Sequence, residues 1–102
     1  MTEYERSVTV RNRLGMHARP AAEFVKVATR FAAEIWVDKD GLEVNGKSIM
    51  GVLMLAAEAG SSIRIRGAGA DARDAVEALV ALVERGFDEE LAEESSGMEK
   101  AT

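Results

Sequence analysis

The most constraining stretch of the chain is residues 34–44. Glu34-Ile35-Trp36-Val37-Asp38 and Leu42-Glu43-Val44 alternate polar and apolar side chains on either side of Asp40-Gly41. Asp-Gly tolerates the positive φ of a tight two-residue turn, so the segment reads as a β-hairpin. A hairpin in mid-chain makes the sheet antiparallel there and argues against an all-parallel, doubly wound fold. The whole sequence has 102 residues, which is one domain with one modest core.

The other segments follow the same switch between a period of 2 and a period of 3.6. Residues 6–11 alternate as a strand (Arg6-Ser7-Val8-Thr9-Val10-Arg11), and residues 12–15 turn out of it. Ala21, Phe24, Val25, Ala28 and Phe31 form one stripe, predicting an amphipathic helix from Ala18 to about Arg30. Ser48 reads as the N-cap of a short apolar helix over residues 49–55. Ile63-Arg64-Ile65-Arg66 is a fourth strand. Asp71 is expected to cap a long helix with the stripe Val76, Leu79, Val80 and Val83, stopped by Gly86 at C′. The order is β-α-β-β-α-β-α. Each strand has one apolar face, so the sheet is expected to be covered by helices on one side and open on the other.

Composition narrows the class. There is no Cys, hence no disulfide framework and no thiolate metal site. No apolar run is long enough to span a membrane, and residues 1–7 lack the apolar centre of a signal peptide, so a cytoplasmic location is expected. The net charge of −5 sits entirely in residues 88–102, which hold six acids and one base. Residues 1–87 are neutral, which argues against a nucleic-acid binder. The expected division is a folded domain over 1–87 and an acidic, solvated tail over 88–102.

The chain's only His and only Pro lie in Gly15-Met16-His17-Ala18-Arg19-Pro20-Ala21, at the start of the first helix. A helix start carries unpartnered N–H groups and a partial positive charge, a natural anion site. Pro20 suits a first turn, where a missing N–H costs nothing. Arg19 opposes the helix dipole there, which makes sense when an anion arrives between Arg19 and His17. Imidazole, guanidinium and free amides at one point indicate phosphate chemistry, either binding a phosphate or carrying one covalently on His17.

Two other patterns are decoys. Gly41-Leu-Glu-Val-Asn-Gly46-Lys47-Ser48 fits G-x-x-x-x-G-K-S, but its interior alternates as a strand and no buried parallel strand precedes it, as a phosphate-cradling loop requires. Gly67-Ala-Gly69 lacks the third glycine and the parallel sheet of a dinucleotide turn. The helix after Ser48 is apolar all round. Val52 and Leu55 are expected to face inward, and Ile49, Met50 and Leu53 outward as a docking patch suited to flexible Met. Trp36 points opposite to Ile35 and Val37, toward the open face.

Residues 15–21 resemble the active-site signature of the HPr family, the phosphocarriers of the bacterial phosphoenolpyruvate:sugar phosphotransferase system. Asn45-Gly46-Lys47-Ser48-Ile49-Met50-Gly51-Val52 resembles that family's second signature, around its regulatory serine. The spacing of the two motifs and the element order match as well, over about residues 3–87. Met16 stands where the family usually has Leu. The resemblance implies an α+β fold, an open-faced β-sandwich with a four-stranded antiparallel sheet and three helices on one face. It implies that His17 accepts a phosphoryl group on Nδ1 from phosphorylated enzyme I and passes it to enzyme IIA domains, with Arg19 stabilising the phosphate. It implies that Ser48 is modified by HPr kinase/phosphorylase. Partner docking is expected at Met16, Ala18, Lys26, Lys47, Ile49, Met50 and Leu53. A monomeric relay is expected rather than an enzyme, with no cofactor, no metal, no nucleic acid and no membrane insertion. A purely regulatory, nitrogen-type member of the same system is the alternative.

Overall fold

The computed structural model describes residues 2–92. The elements are β1 (Glu3–Thr9), α1 (Ala18–Ala28), β2 (Glu34–Lys39), β3 (Leu42–Asn45), α2 (Ile49–Met54), β4 (Ser62–Ala68) and α3 (Ala72–Glu84), followed by a 3-10 turn at Gly86–Asp88. The sheet runs β1-β4-β2-β3, and every neighbouring pair is antiparallel. The expected α+β architecture, a four-stranded antiparallel sheet carrying three helices, is the observed one. β1 and β4 both extend beyond their alternating centres because each supplies the other's partners, from Glu3 opposite Ala68 to Thr9 opposite Ser62.

The pleat sorts side chains as the alternation requires. Val8, Ile35, Val37, Ile63 and Ile65 face the helices and are buried with Phe24, Val52, Val76, Leu79, Val80 and Val83. The opposite face is a lattice of charge. Arg66 lies with its guanidinium 4.2 Å from the centroid of the Trp36 ring, which faces outward as predicted, and reaches Glu43 at 2.9 Å. At the end of β1 nearer α3, Tyr4 and Arg6 both donate to the Glu77 carboxylate, Arg6 at 2.8 Å. That pair fastens an edge strand to the last helix.

Several local expectations are corrected. α1 ends at Ala28, two residues early, because the N–H groups of Arg30 and Phe31 bond three residues back, to Val27 O and Ala28 O, and close it with tight terminal turns. Asp71 occupies the position before α3, but its side chain makes no cap bond. Its oxygens accept instead from the backbone N–H groups of Ala32 (2.9 Å) and Ala33 (2.8 Å), tying the loop after α1 to the start of α3. Those bonds hold its carboxyl below the usual range, the Ala32 N–H being the largest cause.

The segment after α3 is not a solvated extension where it is described. Gly86, Phe87 and Asp88 all have positive φ and reverse the chain, and Phe87 is buried in the core. Residues 90–92 then run back along residues 11–13: Arg13 N–H donates to Glu90 O at 2.8 Å, Ala92 N–H to Arg11 O at 2.7 Å, and Asn12 pairs with Leu91 in an isolated antiparallel bridge. The rest of the acidic stretch, residues 93–102, lies outside the described residues. No helix among the described residues is long and apolar enough to cross a membrane.

Candidate functional site

The site begins with a turn. Asn12 ends the segment after β1 and is fully buried; its Nδ2 donates to the Gly15 carbonyl at 2.6 Å, closing the Asn12–Gly15 turn. Gly15 adopts φ +70°, and an added Cβ there would lie 2.5 Å from the Ala57 carbonyl oxygen. Met16 N–H donates to that same oxygen at 2.8 Å, seating the loop on the segment after α2. His17 is thereby placed at the N-cap of α1 in an extended conformation, with no side-chain cap bond of its own. The first helical bond is Ala21 N–H to His17 O at 3.0 Å. Ala18 and Arg19 precede it, so their amides have no acceptor within the helix. Pro20, which has no N–H, is buried in the same turn.

The side chains converge on a carboxylate that sequence reasoning missed. His17 Nε2 lies 3.1 Å from Glu89 Oε1, and Arg19 Nη2 lies 2.7 Å from Glu89 Oε2. Asn12 Nδ2 also donates to Glu89 Oε1, at 3.0 Å. Glu89 is 12 % exposed, while His17 at 37 % remains open to solvent. Burial pushes the Glu89 carboxyl up, but the hydrogen bonds from His17 and Asn12 and the charges of His17 and Arg19 outweigh it and leave it below the usual range. His17, Arg19 and Glu89, with Arg13, Leu14 and Glu90, line an open pocket of about 280 Å³. One signal in the sequence marks the return of the chain: Phe87 and Leu91 are large apolar residues in an otherwise acidic run, and both are used to bring Glu89 back.

Ser48 is the N-cap of α2, as predicted: its Oγ accepts from Gly51 N–H at 3.0 Å. α2 packs beside α1. Val52 and Leu55 are buried and Ile49 and Met50 exposed, as expected, with Met50 at 70 %. Leu53 is half-buried against the core instead of fully outward, and Met54, not anticipated, is exposed at 65 %. Ala18 and Lys26 are exposed.

Two of the expected docking residues are corrected. Met16 is only 5 % exposed and supports the His17 loop from beneath, so it offers no surface; the exposed apolar residue of that loop is Leu14, at 63 %. Lys47 is half-buried, and its ammonium is committed to the Phe31 carbonyl at 2.7 Å, where it ties α2 to the end of α1. Among the described residues, no group of three or more His, Cys, Asp or Glu side chains is placed to hold a metal ion.

Comparison with known proteins places this geometry. Residues 4–85 match the family model for the PTS HPr component phosphorylation site. The chain is 48 % identical over 81 residues to the HPr-like protein Crh of Halalkalibacterium halodurans, covering 79 % of this chain and 96 % of that protein. It is 42 % identical over 91 residues to the phosphocarrier protein NPr of Proteus mirabilis, covering 88 % of this chain and all of that one. The crystal structure of HPr-C-His from Thermoanaerobacter tengcongensis superposes with a TM-score of 0.83 at 44 % identity, over 86 % of this chain and 99 % of that one. A helix-start histidine and arginine sharing one anion, on this fold, with these relatives, make the chain a member of the HPr family of phosphotransferase-system phosphocarriers.

Proposed function

We propose that His17 accepts a phosphoryl group on Nδ1 from the phosphohistidine of enzyme I, itself charged by phosphoenolpyruvate, and passes it to a histidine of an enzyme IIA domain. The observation that carries this reading is the convergence of His17 and Arg19 on one carboxylate at the amino end of α1. It shows donors already aimed at an anion. Neutral imidazole is the nucleophile. The Nδ1 lone pair forms the new N–P bond while the donor's N–P bond breaks and its electron pair returns to the donor imidazole. The transition state is loose, so positioning and charge stabilisation do most of the work. Arg19 supplies paired donors for the phosphoryl oxygens, and the amides of Ala18 and Arg19 supply fixed ones. The carrier alone turns over no substrate. Ala18, Leu14, Ile49, Met50 and Met54 provide the apolar surface for its partners, and Lys26 a cation for acidic ones.

Ser48 supports a regulatory layer. A phosphate there adds roughly −1.5 to −2 charges. At the start of α2 that charge suits the helix dipole, while it penalises docking on the neighbouring Ile49 and Met50. Phosphorylation by HPr kinase/phosphorylase would then slow transfer at His17 without unfolding α2. The relatives named Crh and NPr, alongside those named HPr, support a second reading, in which the chain is a purely regulatory, nitrogen-type member of the system instead of serving sugar uptake. Parallel transfer assays against sugar-specific and nitrogen-type enzyme IIA domains separate the two.

The direct test is incubation with phosphoenolpyruvate and enzyme I, followed by mass spectrometry before and after acid treatment. An acid-labile phosphate present in the wild type and lost in His17→Ala is expected. Absence of transfer to the wild type overturns the reading.

A further inference from the structure

We propose that Glu89 is a positioning residue for His17: its carboxylate holds the imidazole with the proton on Nε2 and so presents Nδ1 as the unprotonated nucleophile. The inference rests on the phosphocarrier reading above and names a residue outside the stretch matched by the family model, which ends at residue 85.

The argument is one of donors and acceptors. A neutral imidazole has one N–H and one lone-pair nitrogen, and an ionised carboxylate can only accept. Arg19 at 2.7 Å and Asn12 at 3.0 Å both donate to Glu89, which keeps that carboxylate ionised. The nitrogen facing it at 3.1 Å is Nε2; that nitrogen therefore carries the proton, and the lone pair falls to Nδ1. The same logic orients the imidazole of hydrolase triads, where a carboxylate on one ring nitrogen sets the tautomer for the other.

The oxygen is held by the fold. Glu89 N–H donates to Gly86 O at 2.9 Å, Phe87 is buried two residues before it, and Glu90 and Ala92 are bonded to residues 13 and 11. Asn12, fully buried, donates to the same Oε1 that His17 faces. As the Nδ1–P bond forms and the donor's N–P bond breaks, the ring gains imidazolium character with its Nε2 proton retained. The carboxylate then faces a developing positive charge, which it stabilises. Glu89 Oε2 meanwhile keeps the Arg19 guanidinium beside the ring, and the remaining four of that group's five N–H donors are available to the phosphoryl oxygens.

The experiment uses the full chain with 15N-labelled histidine, enzyme I and phosphoenolpyruvate. It compares the wild type with Glu89→Gln and Glu89→Ala. In the wild type the His17 ring nitrogens should show a single Nε2–H tautomer. In Glu89→Ala the two ring signals should move toward each other as the tautomers mix, and kcat/KM for phosphoryl uptake should fall about tenfold. Glu89→Gln keeps an acceptor oxygen without the charge. It should retain the tautomer and show an intermediate rate, which a merely structural role would not produce. Backbone amide spectra of both variants report whether the 86–92 segment stays in place. An unchanged ring spectrum, an unchanged rate or a faster rate in Glu89→Ala each overturns the proposal. The last outcome would make Glu89 a competitor for Arg19. A wild type that takes up no phosphate refutes the phosphocarrier reading instead, and the ring signals still decide whether Glu89 sets the tautomer.

Discussion

Replacing Gly15 with Ala should be among the most damaging single-methyl changes in this protein. Gly15 sits at φ +70°, where an L side chain costs roughly 1–2 kcal/mol. Its new Cβ would stand 2.5 Å from the Ala57 oxygen and 3.0 Å from the Glu58 Cα. Both obstacles are backbone, so relief requires moving residues 57–58 as a unit. That movement breaks the 2.8 Å bond from Met16 N–H to Ala57 O. Met16 is buried, and a stranded donor there costs a further 1–3 kcal/mol or so. The sum is about 3 kcal/mol, and at about 4–8 °C per kcal/mol for a domain of this size the midpoint should fall by roughly 12–24 °C. Gly60 is the internal control: it has φ +91° with nothing within 4 Å of an added Cβ. Gly60→Ala should cost only the conformational part, about 1–2 kcal/mol. Guanidinium unfolding of both variants, compared at constant m-value, isolates the steric part as the difference between them. Equal destabilisation of the two variants would refute the reasoning, because it would mean that the 57–58 backbone yields without cost. Gly15 O also accepts from Asn12 Nδ2 at 2.6 Å and from His17 N–H at 2.9 Å. Phosphoryl uptake by Gly15→Ala should therefore fall even at temperatures where the variant is folded.

Three further outcomes are expected. Ser48→Ala removes the Oγ that accepts from Gly51 N–H and should lower stability by about 1 kcal/mol; Ser48→Asp should keep the cap and α2 while slowing uptake from enzyme I, and an unchanged uptake rate with α2 intact would sink the regulatory role of Ser48. The carboxyls of Asp71, Glu77 and Glu89 are all held below the usual range, chiefly by the Ala32 N–H for Asp71, by the Tyr4 hydroxyl for Glu77 and, against the effect of burial, by His17 and Asn12 for Glu89. Groups with depressed folded values contribute stability that is present above the unfolded value, near 4, and lost as pH falls through the folded one. Thermal midpoints should therefore drop below about pH 4, and less steeply in Asp71→Asn; the same acid profile in both proteins would remove Asp71 from the account. Deleting residues 88–102 takes away the Glu89 contacts and the bonds of Glu90 and Ala92 to residues 13 and 11. It should lower stability by roughly 2 kcal/mol by calorimetry, and an unaltered melting temperature would show that this segment is not held.

What was legible and what was not divides along the range of the interactions. Period and punctuation are local, and they are enough for the elements. The alternation around Asp40-Gly41 yields the hairpin, the stripe of Phe24 and its neighbours yields α1, and Ser48 caps α2 as read. The His17-Arg19-Pro20 cluster was legible for the same reason, since a helix start is both a local event and an anion site. Met16 and Lys47 were misread because burial is decided by what lies across the chain. An apolar side chain next to a site can as well be the floor of the loop as its surface, and a lysine can be spent on a carbonyl sixteen residues away.

The sequence by itself determined the order of strands and helices, the antiparallel hairpin and the coincidence of imidazole, guanidinium and free amides at one helix end, because each follows from neighbours within a few residues. Only the tertiary structure decided that Asp71 braces Ala32 and Ala33 rather than capping its own helix, and that Glu89 comes home to His17 and Arg19. Those contacts join residues 39, 38, 72 and 70 positions apart. At such separations no periodicity relates the partners. Only packing, here of Phe87 and of the 90–92 segment against residues 11–13, brings them together.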